Sequence, residues 1–91
     1  MNQKDFFSGY AKGTLKSNAR LGNVYIDGAV IYSYGSHFPL ATLERMARVA
    51  HVNKDKYSQS TSKQQGYLRN ALTQAGYTLT YHDTNSLKGM I

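Results

Sequence analysis

The sequence predicts an α+β fold: a small antiparallel sheet of four to five strands with a meander start, packed against one main C-terminal helix, with a short N-terminal helix. Three observations carry that expectation. Two alternating runs of β-branched and aromatic residues, Asn23 to Asp27 and Ala29 to Tyr34, flank Asp27-Gly28, a dipeptide strongly favoured in tight hairpins. Ser62 to Ala75 repeats its apolar residues at helical spacing and is followed by Gly76, a natural helix stop. The chain has 91 residues and no cysteine, so one modest hydrophobic core, and no disulfide framework, must hold it together.

In order, Asn2 to Ala11 reads as a short amphipathic helix. Phe6, Phe7 and Tyr10 share a face, and Asp5 lies in the first turn, where the helix dipole favours an acid. Gly9 and Gly13 weaken this helix, and Gly13 to Arg20 reads as a basic loop. In the hairpin, a type I′ turn at Asp27-Gly28 places Ile26 opposite Ala29, Val24 opposite Ile31, Tyr25 opposite Val30 and Asn23 opposite Tyr32. One side is then aliphatic and belongs against a helix. The other is rich in tyrosine and is expected to be partly wet, because a phenol hydroxyl needs a partner.

Tyr32 to Ala41, Tyr-Ser-Tyr-Gly-Ser-His-Phe-Pro-Leu-Ala, must turn a corner: Gly35 permits a positive φ, and Pro39, the only proline, biases Phe38 towards extended backbone. From Leu40 to Asn53 the periodicity fits either a helix or a pair of strands turning near Met46-Ala47. In the main helix, Ser62 with Gln65 and Thr61 with Gln64 have capping-box spacing. Tyr67, Leu68, Ala71, Leu72 and Ala75 share its apolar face, with Gly66, Arg69, Asn70 and Thr73 opposite. Tyr77 to His82 alternates as a last strand, and Asp83 to Ile91 is a turn and tail. The expected organisation is a single domain: residues 1–20 a helix and basic loop, 21–83 the sheet and helix core, 84–91 the tail.

Charge points to a binding role. Eleven Lys and Arg against five Asp and Glu leave a net charge of +6, a field that attracts polyanions. Lys16, Arg20, Arg45, Arg48, Lys54, Lys56, Lys63 and Arg69 are the candidate phosphate contacts, and Tyr25, Tyr32 and Tyr34 the candidate stacking groups. A second candidate site combines Ser36 and His37 in the corner with Ser60, Thr61 and Ser62 at the helix start, where hydroxyls and free amides suit a phosphate or carboxylate. Signs of catalysis are sparse: Gly-x-Ser-x-Gly is absent, carboxylates are few, and no glycine-rich loop joins a strand to a helix. His37, His51, His82 and Asp83 lack the local spacing of a zinc site, so neither a metal nor a cofactor is expected. No apolar run approaches the roughly 20 residues of a membrane span, and the N-terminus lacks a signal-peptide stretch, so the expected location is the cytoplasm.

Two segments together resemble a known family. Tyr32 to Ala41, and Val-Asn-Lys-Asp-Lys-Tyr-Ser-Gln-Ser-Thr-Ser-Lys-Gln-Gln at Val52 to Gln65, are similar to the boxes of a family of small uncharacterised domains encoded by tailed bacteriophages and mobile elements. Its members carry Tyr-Ser-Tyr-Gly-x-His-Phe-Pro, then Asn-x-Asp-x-Tyr-Ser leading into a Thr-Ser-Lys-His-Gln helix start. At the histidine of that last box this chain has Gln64. The resemblance implies a phage-encoded α+β domain and favours strands over a helix for Pro39 to Asn53.

The expected function is therefore a non-catalytic accessory protein in the host cytoplasm that binds nucleic acid or a host nucleic-acid-handling complex. An exposed sheet edge would also suit a homodimer. Two alternatives stand beside it: an inhibitor of a host defence system acting by protein–protein binding, as anti-CRISPR proteins do, and a small enzyme or ligand-binding domain centred on His37.

Overall fold

The computed structural model describes residues 1–91. Helix α1 (Gln3–Lys12) is followed by strands β1 (Arg20–Leu21), β2 (Val24–Asp27), β3 (Val30–Ser33), β4 (Pro39–Glu44) and β5 (Val49–Asn53). Then come α2 (Gln59–Gln74), β6 (Thr78–His82) and a short α3 (Thr84–Lys88). The fold is α+β, with the strands lying in one sheet in the order β1-β2-β3-β4-β5-β6.

The first five strands form an antiparallel meander, so Pro39 to Asn53 is a strand pair. β6 runs parallel to β5, which makes a mixed sheet of six strands where an antiparallel one of four to five was expected. The cause is α2: a helix leaving one end of β5 returns the chain to the other end, and the strand after it then runs parallel. The additional strand is the two-residue β1, which begins at Arg20, the last residue of the segment read as a basic loop.

The β2–β3 register also differs from expectation. Ile26 pairs with Ile31, Tyr25 with Tyr32 and Val24 with Ser33, which puts Gly28-Ala29 at the turn. Gly28 alone takes a positive φ there (63°), the pattern of a type II′ turn, which places glycine first. Asp27 is thereby spared a left-handed conformation. The slip is two residues, an even number, so every side chain keeps the face it was assigned.

Val24, Ile26, Ile31, Ala41, Leu43, Ala50 and Val52 project from one face of the sheet and meet Phe6, Phe7, Tyr10 and Ala11 of α1 and Leu68 and Leu72 of α2 in a single core. α1 begins at Asn2, whose Oδ1 accepts the Asp5 N–H at 2.8 Å, and stops at Gly13 with φ 73°. Gly9 weakens the helix locally but makes room for the loop: a Cβ there would lie 2.8 Å from Leu15 Cγ. Tyr10 is sealed, and its hydroxyl donates to the Ala29 carbonyl at 2.7 Å. Burial pushes that phenol far above its ordinary pKa, so it remains a neutral donor.

α2 starts earlier than expected. Ser58 is its N-cap, its Oγ accepting the Thr61 N–H at 3.1 Å, and neither predicted capping box forms. The glutamines of those boxes turn inward instead. The tail also acquires structure: α3 packs on β4 and β5 and buries Leu87 completely, with Asp83 capping it through Ser86 N–H at 2.8 Å. That hydrogen bond holds the Asp83 carboxyl below its usual range.

Candidate functional site

The two segments that carry the family resemblance come together in space. Tyr34, just past β3, takes a left-handed conformation (φ 62°), Gly35 follows at 113°, and Phe38 N–H returns to the Gly35 carbonyl at 3.3 Å, turning the corner into β4. A bulky residue in the left-handed region costs roughly 1–3 kcal/mol, and such strain gathers at functional sites. At this corner Tyr57, on the linker before α2, meets three rings. Its centroid lies 5.0 Å from Phe38, 5.7 Å from Tyr34 and 6.1 Å from His37.

Beneath the rings lies a polar lock. Ser33 Oγ, wholly buried, donates to Gln64 Oε1 at 2.7 Å, and Gln64 Nε2 donates to Asn23 Oδ1 at 3.0 Å. Gln65 Nε2 donates to the Asn53 and Asp55 carbonyls at 3.1 and 2.9 Å, while Asn53 Nδ2 donates to the Pro39 carbonyl at 2.8 Å. These bonds tie the start of α2 to both neighbouring strands. Phe38 is the buried floor, while Tyr34 and Tyr57 remain 39% and 52% exposed and His37 is exposed beside them.

Residue 64 is where this chain has glutamine and the resembled pattern has histidine. Glutamine here uses one donor and one acceptor, which a neutral imidazole also offers. Gln64→His is therefore expected to change stability by less than about 1 kcal/mol, whereas Gln64→Leu, which leaves Ser33 unpaired, is expected to cost about 1–3 kcal/mol. Urea denaturation of the two variants checks both values.

The predicted cations divide into groups. Arg45 donates to the Tyr10 and Ala11 carbonyls at 3.1 and 3.4 Å and closes the end of α1. Arg48 donates to the Ala75 carbonyl at 2.9 Å and closes the end of α2. Both are engaged with backbone. Lys16 lines a cleft of about 210 Å³ with Gly13, Gly28 and Arg45. Lys54, Lys56 and Lys63 are exposed on the segments flanking Tyr57, and Arg69 is half-buried further along α2.

The predicted tyrosines divide too. Tyr25 and Tyr32 stack on the sheet face away from the core, centroids 5.1 Å apart, with the Arg20 guanidinium 4.9 Å from the Tyr25 ring. Tyr32 is only 8% exposed, its ring covered on one side by that of Tyr25, while Tyr25 itself stays half-buried, so this face is partly wet. Burial, with Tyr25 and Asp27 nearby, holds its hydroxyl above the ordinary phenol range. Only Tyr34 of the three stands at the corner.

Among the hydroxyls, Ser36 and Ser60 are exposed, Ser62 is half-buried, and Thr61 is sealed as the partner of the Ser58 cap. Tyr57 is the residue that sequence reasoning missed. It lies in the second box, but nothing in its local spacing announces that it will meet the first. His37 lines none of the three clefts. No three His, Cys, Asp or Glu side chains converge as metal ligands, and no helix is long and apolar enough to cross a membrane. No protein-family model, curated protein or solved structure matches the chain.

Proposed function

We propose that the protein is a non-catalytic accessory module, of the phage-encoded kind its two boxes resemble, that binds single-stranded nucleic acid at the aromatic corner. The observation that carries this reading is the exposed trio Tyr34, His37 and Tyr57, seated on buried Phe38 and flanked in sequence by Lys54, Lys56 and Lys63. Open ring faces accept unstacked bases without regard to sequence, and nearby cations follow the phosphates. The acid nearest in sequence, Asp55, is already engaged: its carboxylate accepts from Thr84 N–H and Oγ–H at 2.8 and 2.7 Å. An open platform also suits a strand that passes across it.

Fluorescence anisotropy with labelled oligothymidine and oligouridine tests the proposal. Binding is expected at low salt, with the logarithm of affinity falling about 0.7 for each phosphate neutralised per unit of log salt. Absence of binding at 20 mM salt would overturn it.

A second reading, inhibition of a host defence complex, is favoured by the β6 edge, where Tyr81 is 55% exposed and one side of the strand has no neighbour. Capture of one host protein in nuclease-treated lysate, with no oligonucleotide binding, would decide for it.

A further inference from the structure

On the sheet face away from the core, the parallel pairing of β5 and β6 sets His51 directly opposite Thr80 and brings His82, two residues along, into diagonal contact. Three polar atoms converge there. His51 Nδ1 is 2.7 Å from Thr80 Oγ1 and 3.1 Å from His82 Nε2, and those last two atoms are 2.9 Å apart. The other ring nitrogen of His51, Nε2, is bonded to the Glu44 carboxylate. A carboxylate only accepts, so in the neutral ring Nε2 carries the proton and Nδ1 turns its lone pair towards Thr80 and His82.

We propose that His51 Nδ1 and His82 Nε2 are the ligands of a divalent metal ion of the zinc type, with Thr80 Oγ1 beside them and Glu44 as the residue that orients His51. Three features of the geometry argue for it. Two nitrogens 3.1 Å apart, each about 2.0–2.1 Å from a metal, subtend about 100° there, between the square and tetrahedral angles. Two imidazole lone pairs at that separation repel unless a proton or a cation lies between them. A metal-bound histidine characteristically gives its other N–H to a carboxylate, and the Glu44–His51 pair already has that form. Imidazole donors select zinc, copper and nickel over magnesium and calcium. Water completes the coordination on this open face, as two protein nitrogens leave positions free. Glu44, His51 and Thr80 also order a carboxylate, an imidazole and a hydroxyl in a row, but none of the clefts touches β5 or β6, so no substrate pocket adjoins Thr80.

The site is independent of the aromatic corner, and its test does not use nucleic acid. The full chain is titrated with zinc chloride by calorimetry, with nickel and copper chlorides as comparators. One zinc per chain with micromolar affinity is expected. His51→Ala and His82→Ala should each weaken it at least tenfold, and His37→Ala, which removes the third histidine of the chain, should leave it unchanged. Glu44→Gln should weaken binding roughly tenfold or more, with Glu44→Asp restoring part of the loss. Nitrogen-15 spectra of the imidazoles give the readout that a merely structural role would not move: zinc should shift Nδ1 of His51 and Nε2 of His82 selectively. No saturable binding up to millimolar zinc, an equal loss in His37→Ala, or shifts confined to other nitrogens would each overturn the proposal.

Discussion

Phe7→Ala is expected to destabilise the protein by about 3–5 kcal/mol, the cost of emptying a buried aromatic site. Phe7 has no exposed surface, and it anchors α1 to the sheet together with Phe6, Tyr10 and Ala11. A helix of 10 residues is marginal alone, so its existence rests on that packing. A domain of this size typically has about 5–15 kcal/mol in total, so the loss consumes a large part of it. At about 4–8 °C per kcal/mol the melting midpoint should fall by roughly 12–40 °C. Met46→Ala is the control: Met46 stands fully exposed at the β4–β5 turn and should shift stability by less than about 0.5 kcal/mol. Calorimetric melting of the two variants checks the contrast, and a Phe7→Ala midpoint within a few degrees of the parent would contradict the assignment of α1 to the core.

Tyr57→Ala carries the largest expected effect on binding. A base stacked on one aromatic ring contributes about 1–3 kcal/mol, so oligonucleotide affinity should fall roughly 5- to 150-fold. Tyr57→Phe keeps the ring and should keep most of the affinity. Tyr25→Ala should matter far less, since that ring is already flanked by Tyr32 and by the Arg20 guanidinium. The three variants, compared by anisotropy at one salt concentration, separate the corner from the sheet face. Wild-type affinity in Tyr57→Ala with a large loss in Tyr25→Ala would move the interface to the Tyr25–Tyr32 column.

Local pattern made much of the framework legible. The α1 face, the faces of the hairpin, the apolar side of α2 and the alternation of β6 follow from spacings of two to four residues, which the chain displays directly. Direction did not: nothing within Thr78 to His82 distinguishes a parallel neighbour from an antiparallel one, and only the crossover by α2 sets it. The Ser58 cap was hidden in a run of hydroxyls in which Thr61 and Ser62 had the better box spacing. The box glutamines are spent on long-range bonds, as Gln64 reaches back 31 positions to Ser33. The candidate site was legible only as separate segments, because Tyr57 and Tyr34 are joined by tertiary contact. Arg45 and Arg48 read as free cations for the same reason: the carbonyls they cap belong to distant helix ends.

The β5–α2–β6 crossover has a consequence for how the chain assembles. Each hairpin of the meander closes over a few residues, whereas His51 meets Thr80 only across 29 positions, so loop-closure entropy makes the β6 pairing the late event. During synthesis the aliphatic side of the meander is complete once Asn53 has left the ribosome, and α1 is the one helix then made that can shield it. Until Gln74 emerges, the nascent chain presents Ala50 and Val52 of β5 without the helix that packs on that strand, which is the interval in which a chaperone has something to hold.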